Sequence, residues 1–161
     1  MTTFLPADAS LTTMTEYVLP THANAMGNVF GGQILAWMDL CAAICAQRHT
    51  SRIAITAGID DLSFEGPIQV GQVVRLRALV TATFRTSLEI EVVVEGEEPT
   101  TKQTWPCCSA FLTFVAVDEA RKPTAIPQLH VSTDDERERA TAAQERRADR
   151  LARAHKRVTA P

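Results

Sequence analysis

The stretch HANAMGNVFGGQILAWMDLCAAICAQRHT, His22 to Thr50, decides the fold. It reads as a glycine-marked loop opening into one long helix that is apolar on nearly every side. At 100° per residue, Ile34, Met38, Cys41 and Cys45 share one face, and Trp37, Leu40 and Ile44 fill the next. Ala36, Ala42, Ala43 and Ala46 crowd round a single carboxylate, Asp39. Burying a carboxylate costs several kcal/mol unless it is paired. Its helical neighbours at three and four residues, Leu35, Ala36, Ala42 and Ala43, offer no side-chain donor. Asp39 is therefore either partnered from elsewhere in the fold or placed to do chemistry. The glycine pair Gly31-Gly32 at the helix start leaves the first-turn amides unscreened. Those unpaired donors, with the helix dipole behind them, can hold a carbonyl oxygen as it becomes an oxyanion. The plainer reading of the pair is a tight turn.

Outward from this stretch, the chain alternates with the period of strands. Residues 1 to 10 read as a loose terminus. Leu11 to Leu19 reads as a first strand, ended by Pro20. After the helix, Ile53 to Phe64 places Ile53, Ile55, Ala57 and Ile59 inward, with Gly58 and Asp60-Asp61 signalling a bulge. Val73 to Phe84 sets Val74, Leu76, Ala78, Val80, Ala82 and Phe84 against Arg75, Arg77, Thr81 and Thr83. Ser87 to Glu95 and Trp105 to Val117 complete four strands joined by short turns, which favours antiparallel pairing. The arginines of one strand and glutamates of the next suggest cross-strand charge pairs on a solvated face.

One strand, one helix and four strands predict an α+β domain, with the helix across the concave face of a curved antiparallel sheet. One sheet cannot cover a helix apolar all round, so a second copy of the chain is expected to cover the rest. Residues 11 to 130 form this domain. Residues 131 to 161 are a charged C-terminal helix or tail, rich in Arg, Glu, Asp and Ala.

The 161 residues carry a net charge of −3, which argues against a nucleic-acid binder. The N-terminus lacks the pattern of a secretory signal and the helix is too interrupted to span a membrane, so a cytoplasmic protein is expected. The four cysteines form no C-x-x-C pair, and no histidine stands at ligand spacing. They read as buried reduced thiols, and no metal site is expected.

The run H-x-N-x-x-G-x-V-F-G-G-x-I-L-x-W-M-D, His22 to Asp39, resembles the hotdog-fold acyl-CoA thioesterases, in particular the bacterial YciA-type enzymes and the brain-type acyl-CoA hydrolases of animals. The resemblance continues through DLSFEGPIQVGQ (Asp61 to Gln72), FRTSLEIEV (Phe84 to Val92) and FVAVD-x-x-RKP (Phe114 to Pro123). It implies the hotdog fold, a dimer with one continuous sheet that can assemble as a trimer of dimers, and active sites between subunits. It implies that Asn24 and Asp39 are catalytic and meet across the dimer. The Gly32 amide or a neighbour would hold the thioester oxygen. Asp39 would act as base or as nucleophile, and Asn24 would orient water or carbonyl. Coenzyme A is then part of the substrate, and no separate cofactor is implied. Gly31, Phe64, the turn Arg85, Thr86 and Ser87, and the pair Arg121 and Lys122 are expected near the CoA. His22 could line the loop, and His49 simply ends the helix. A non-catalytic acyl-CoA binding or regulatory protein is the alternative, and intact Asn24 and Asp39 favour the enzyme. A hotdog hydratase needs a histidine soon after the aspartate, whereas the next here is His49.

Overall fold

The computed structural model describes residues 3–159, with side chains described as far as His155; Met1, Thr2, Ala160 and Pro161 lie outside the described residues. The elements run β1 (Phe4–Pro6), β2 (Thr12–Tyr17), α1 (Gly31–Thr50), β3 (Ile53–Phe64), β4 (Val73–Thr83), β5 (Ser87–Glu98), β6 (Gln103–Val117), β7 (Gln128–His130) and α2 (Asp134–Thr159), with short 3-10 turns before β2 and before the loop to α1. The large sheet is antiparallel, in the order β2-β4-β5-β6-β3. α1 packs in its concave face, as the apolar stretch requires, and this is the hotdog arrangement. Met38, Cys41 and Cys45 are wholly buried against Leu76, Ile90 and Phe114. All four cysteines are free and buried.

The helix is not covered on every side within one chain. Gly32, Ala36 and Leu40 form an exposed strip at four-residue spacing, with Leu40 51% exposed, and Asp39 borders it, half-buried. β3 beside it is an edge strand.

Bulges overturn two of the expected alternations. In β3, Thr56 pairs with Phe114 but Gly58 pairs with Thr113, so Ala57 is the extra residue. Before the bulge Ala54 and Thr56 face the helix, and Ile53 and Ile55 turn outward, 69% and 52% exposed. After it the parity reverses, so Ile59 shares the helix face with Leu112 and Asp60 the outer face with Phe111. A bulge re-aims every residue beyond it. A register shift between Val80 and Ala82 does the same in β4 and leaves Phe84 under the guanidinium of Arg147.

The outer sheet face is covered rather than solvated. α2 lies across it with a basic stripe, Arg139, Arg146 and Arg150, and leaves Glu138, Glu145 and Asp149 exposed. Arg146 grips Glu89 with two bonds, Nη2 to Oε1 at 2.7 Å and Nε to Oε2 at 3.1 Å, and stacks on the Phe111 ring at 3.5 Å. Arg139 reaches Glu91, and Arg150 and Arg153 both reach Asp60. Glu89 and Glu91 of β5 thus pair with the helix, while Arg75–Glu97 forms a cross-strand pair at 3.5 Å.

Of the expected loose terminus, Met1 and Thr2 lie outside the described residues, and the residues that follow are not loose. Phe4–Pro6 pairs in parallel with Gln128–His130. Ser10 is buried, with Oγ 3.3 Å from Nδ1 of His49. His49 therefore does more than end the helix: it is fully buried and ties the α1 C-terminus to the N-terminal segment. Burial holds its pKa below the ordinary value, with the Pro127 carbonyl opposing.

Candidate active site

The loop from Asn24 to Phe30 is folded round one side chain. Asn24 Oδ1 accepts hydrogen bonds from the amides of Met26 at 2.9 Å and Asn28 at 3.2 Å. Two backbone N–H groups aim at it, so that atom must be the oxygen, and the amide nitrogen is turned the other way as a donor. No side-chain acceptor for that nitrogen exists among the described residues. The turn closes with the Gly27 amide on the Asn24 carbonyl at 2.9 Å, and Gly27 takes φ +77°, which glycine adopts at no steric cost. Asn24 therefore serves the turn with one end and keeps the other free.

The loop delivers the chain to the α1 N-terminus. Phe30 O accepts from the amides of Gln33 and Ile34, so the Gly31 and Gly32 amides are left as unpaired donors. A Cβ at Gly31 would stand 3.3 Å from the Phe64 ring, so glycine here admits the close approach of that ring. A Cβ at Gly32 would meet nothing within 4 Å. Asn24, Gly31 and Phe64 together line an open cavity of about 380 Å³, with Val29, Ile34, Glu65, Ile68 and Cys107.

Asp39 does not line this cavity. It lies seven residues along the helix from Gly32, about 10 Å at 1.5 Å per residue. No lysine or arginine pairs with it among the described residues. Its Oδ1 accepts from the Thr56 hydroxyl at 2.6 Å, a short charge-assisted bond from β3. Oδ2 is left without a partner among the described residues. Thr56 is the residue that the sequence reading missed. Strand alternation put it on the side opposite Ile53 and Ile55, and that pair was expected to point inward.

The remaining expected residues lie elsewhere. The turn Arg85-Thr86-Ser87 and the turn holding Arg121 and Lys122 sit side by side, with the Ala116 amide on the Thr86 carbonyl and the Lys122 amide on Asp118 Oδ1. Arg85, Arg121 and Lys122 are exposed. Along β6, Ala116 is eight residues from Cys108, the partner of Phe64, about 27 Å at 3.4 Å per residue. Within one chain these cations are therefore far from Gly31 and Phe64. His22 stacks edge-on to Trp37 at 5.0 Å and its Nδ1 accepts from the Leu19 amide, so it braces the loop.

The model of the Thioesterase superfamily matches residues 26–102. A Zymomonas mobilis protein named as an acyl-CoA thioester hydrolase is 34% identical over 70% of this chain and 75% of its own length. The chain belongs to the thioesterase superfamily. Mouse acyl-coenzyme A thioesterase 11 is 38% identical over 86% of this chain, and the chain spans about a quarter of that protein's length (23%). Among solved structures, a hexameric acyl-CoA thioesterase in its apo form superposes with a TM-score of 0.89 at 37% identity, covering 94% of this chain and 97% of that one. An acyl-CoA hydrolase from Staphylococcus aureus, in complex with butyryl coenzyme A, coenzyme A and coenzyme A disulfide, gives 0.87 at 27% identity over 95% and 93% of the two chains. That enzyme has also been solved with alanine replacing an asparagine, an aspartate fifteen residues later, and a threonine a further seventeen residues on. Asn24, Asp39 and Thr56 in this thioesterase-superfamily chain stand at the same two intervals.

Proposed function

We propose that the chain hydrolyses acyl-CoA thioesters to free CoA and a carboxylic acid, at sites each assembled from two copies. The observation that carries this reading is the pairing of a cation-free carboxylate, Asp39, oriented by Thr56, with an unpaired donor set at the α1 N-terminus. About 10 Å of helix separates Gly32 from Asp39, too far for both to act on one carbonyl from a single chain. Two helices running antiparallel about a two-fold axis bring Gly32 of one beside Asp39 of the other. The exposed strip Gly32, Ala36 and Leu40 and the open β3 edge supply the surfaces for that contact. A trimer of such dimers is the fuller assembly we infer, and the cytoplasm, where buried thiols stay reduced, is its place.

In this arrangement the Gly32 amide and the Asn24 amide nitrogen polarise the thioester carbonyl. Asp39 Oδ2 takes a proton from water as it attacks, or attacks the carbonyl itself and forms an anhydride that water opens. The thiolate of CoA leaves in either route. One oxyanion donor contributes about 10²–10³ in rate and a positioned base about 10²–10⁴. The same two-fold carries the Arg85-Thr86-Ser87 turn and the Arg121-Lys122 turn of one copy toward the cavity end of the other. There their cations and open amides meet the CoA phosphates.

The test is thiol release from an acyl-CoA by the wild type and by Asp39→Asn. The expected result is a loss of at least about 10²-fold in kcat, with acyl-CoA affinity and oligomeric state retained. Turnover retained by Asp39→Asn would remove the mechanism. A wild type that binds acyl-CoA but releases no thiol would make the chain a binding protein.

A further inference from the structure

We infer that Glu65 makes this cavity selective for uncharged acyl groups and against those ending in a carboxylate. The inference rests on the acyl-CoA hydrolase reading above and names the class of acyl group that the site takes. Gly31 lines the cavity, so it adjoins the donors of the α1 N-terminus, where the acyl carbonyl would sit. Val29, Ile34, Phe64, Ile68 and Cys107 line it, a largely apolar set that suits the apolar part of a thioester. Among the described residues Glu65 is the one charged residue that lines it, and no lysine, arginine or histidine does. The Glu65 carboxylate has no hydrogen-bond or ion-pair partner among the described residues. An anionic acyl terminus entering here meets a like charge and no counter-charge from the same chain, and the cations that the other copy brings are taken up by the CoA phosphates.

The backbone that carries the charge is held in place. The Glu65 amide donates to the Cys107 carbonyl at 2.7 Å and the Gly66 amide to the same oxygen at 3.3 Å. A Cβ at Gly66 would stand 2.9 Å from the Pro106 carbonyl oxygen, so this turn presses on β6 as only glycine allows. Trp105 Nε1 donates to the Pro67 carbonyl at 3.0 Å and fixes the far side. The backbone at Glu65 is therefore pinned on both sides, which keeps the carboxylate at the cavity rim, while the exposed side chain retains its own rotamers. Repulsion of this kind works by penalising the wrong ligand rather than by rewarding the right one.

The test compares kcat/KM for butyryl-CoA and succinyl-CoA, which share a four-carbon acyl chain and differ in the terminal carboxylate. The wild type is expected to prefer butyryl-CoA. Glu65→Gln, which keeps the shape and removes the charge, is expected to raise the succinyl-to-butyryl ratio about tenfold, and Glu65→Lys to raise it further. Tenfold corresponds to about 1.4 kcal/mol, a fraction of the repulsion between two carboxylates a few ångströms apart near a protein surface. Raising salt should narrow the wild-type preference. Equal use of the two substrates by the wild type, or a ratio unmoved in Glu65→Gln, overturns the inference. If the wild type releases no thiol from butyryl-CoA, the hydrolase reading has failed. Equilibrium dialysis of the same two ligands against wild type and Glu65→Gln then decides the selectivity separately, by the same ratio.

Discussion

Removing the Arg146 guanidinium tests whether α2 is held by charge. Glu89 is 1% exposed and Arg146 is 17% exposed by side chain. In Arg146→Ala the carboxylate keeps only the Thr81 hydroxyl, which donates at 2.8 Å. Breaking a buried pair by removing one partner costs about 3–5 kcal/mol, because the other charge stays buried and uncompensated. The Phe111 stacking, at about 0.5–1 kcal/mol or more, is lost as well. At about 2–4 °C per kcal/mol for a chain of this size, the two losses together should lower Tm by roughly 7–24 °C. The assay is thermal and urea unfolding at fixed protein concentration, read by tryptophan fluorescence and circular dichroism. The companion is the double variant Glu89→Gln with Arg146→Met, which removes both charges and keeps volume. It should recover most of the loss, since replacing both partners of a buried pair is far cheaper than removing one. A loss below about 1 kcal/mol for Arg146→Ala, the size of a surface pair, would mean that Glu89 is solvated after all. The reasoning about the outer face would then fail.

Thr56→Val removes the bond to Asp39 Oδ1 and keeps the shape. Hydrogen bonds to charged groups are worth about 1.5–3 kcal/mol, so kcat for thioester hydrolysis should fall roughly 10- to 150-fold with KM little changed; an unchanged kcat would show that Thr56 does not orient the acid. Buried His49 gives the pH dependence. Its folded pKa is depressed, so the unfolded chain takes up the proton first as pH drops. Its contribution to stability is full above about 6.5 and is lost as pH falls toward the lower folded value, at up to about 1.4 kcal/mol per pH unit. Urea midpoints between pH 8 and pH 5 should show that decline, and His49→Gln should flatten it.

The helix was legible because its apolar residues leave no polar face and two glycines mark its start. The order of strands followed from period-two alternation between short turns. What was not legible came from two physical sources. A bulge reverses parity at a single residue, so Ala57 sent Ile53 and Ile55 outward and brought Thr56 to Asp39. The signal was present in Gly58 and Asp60-Asp61, but its position to the residue was not. The other source was charge. Low apolar content made residues 131 to 161 read as no more than a charged helix or tail. α2 instead packs by matching a row of arginines to acids on β3 and β5, a pairing between segments nearly sixty residues apart for Glu89 and Arg146. In the site, Asn24, Gly31, Phe64 and the cavity come together within one chain. Asp39 and the cationic turns do not, because helix rise and strand length keep them apart.

The way Asn24 is held has a consequence for how this protein would age. Its oxygen closes the loop, and an aspartate would close it just as well, since either side chain offers an acceptor there. Loss of the amide as ammonia would therefore leave no trace in the melting curve. The outward end would change from a donor to a negatively charged acceptor facing an electron-rich carbonyl. On the proposed reading such a molecule would be sound in shape and blind to a thioester, a form of damage that quality control based on misfolding would pass over.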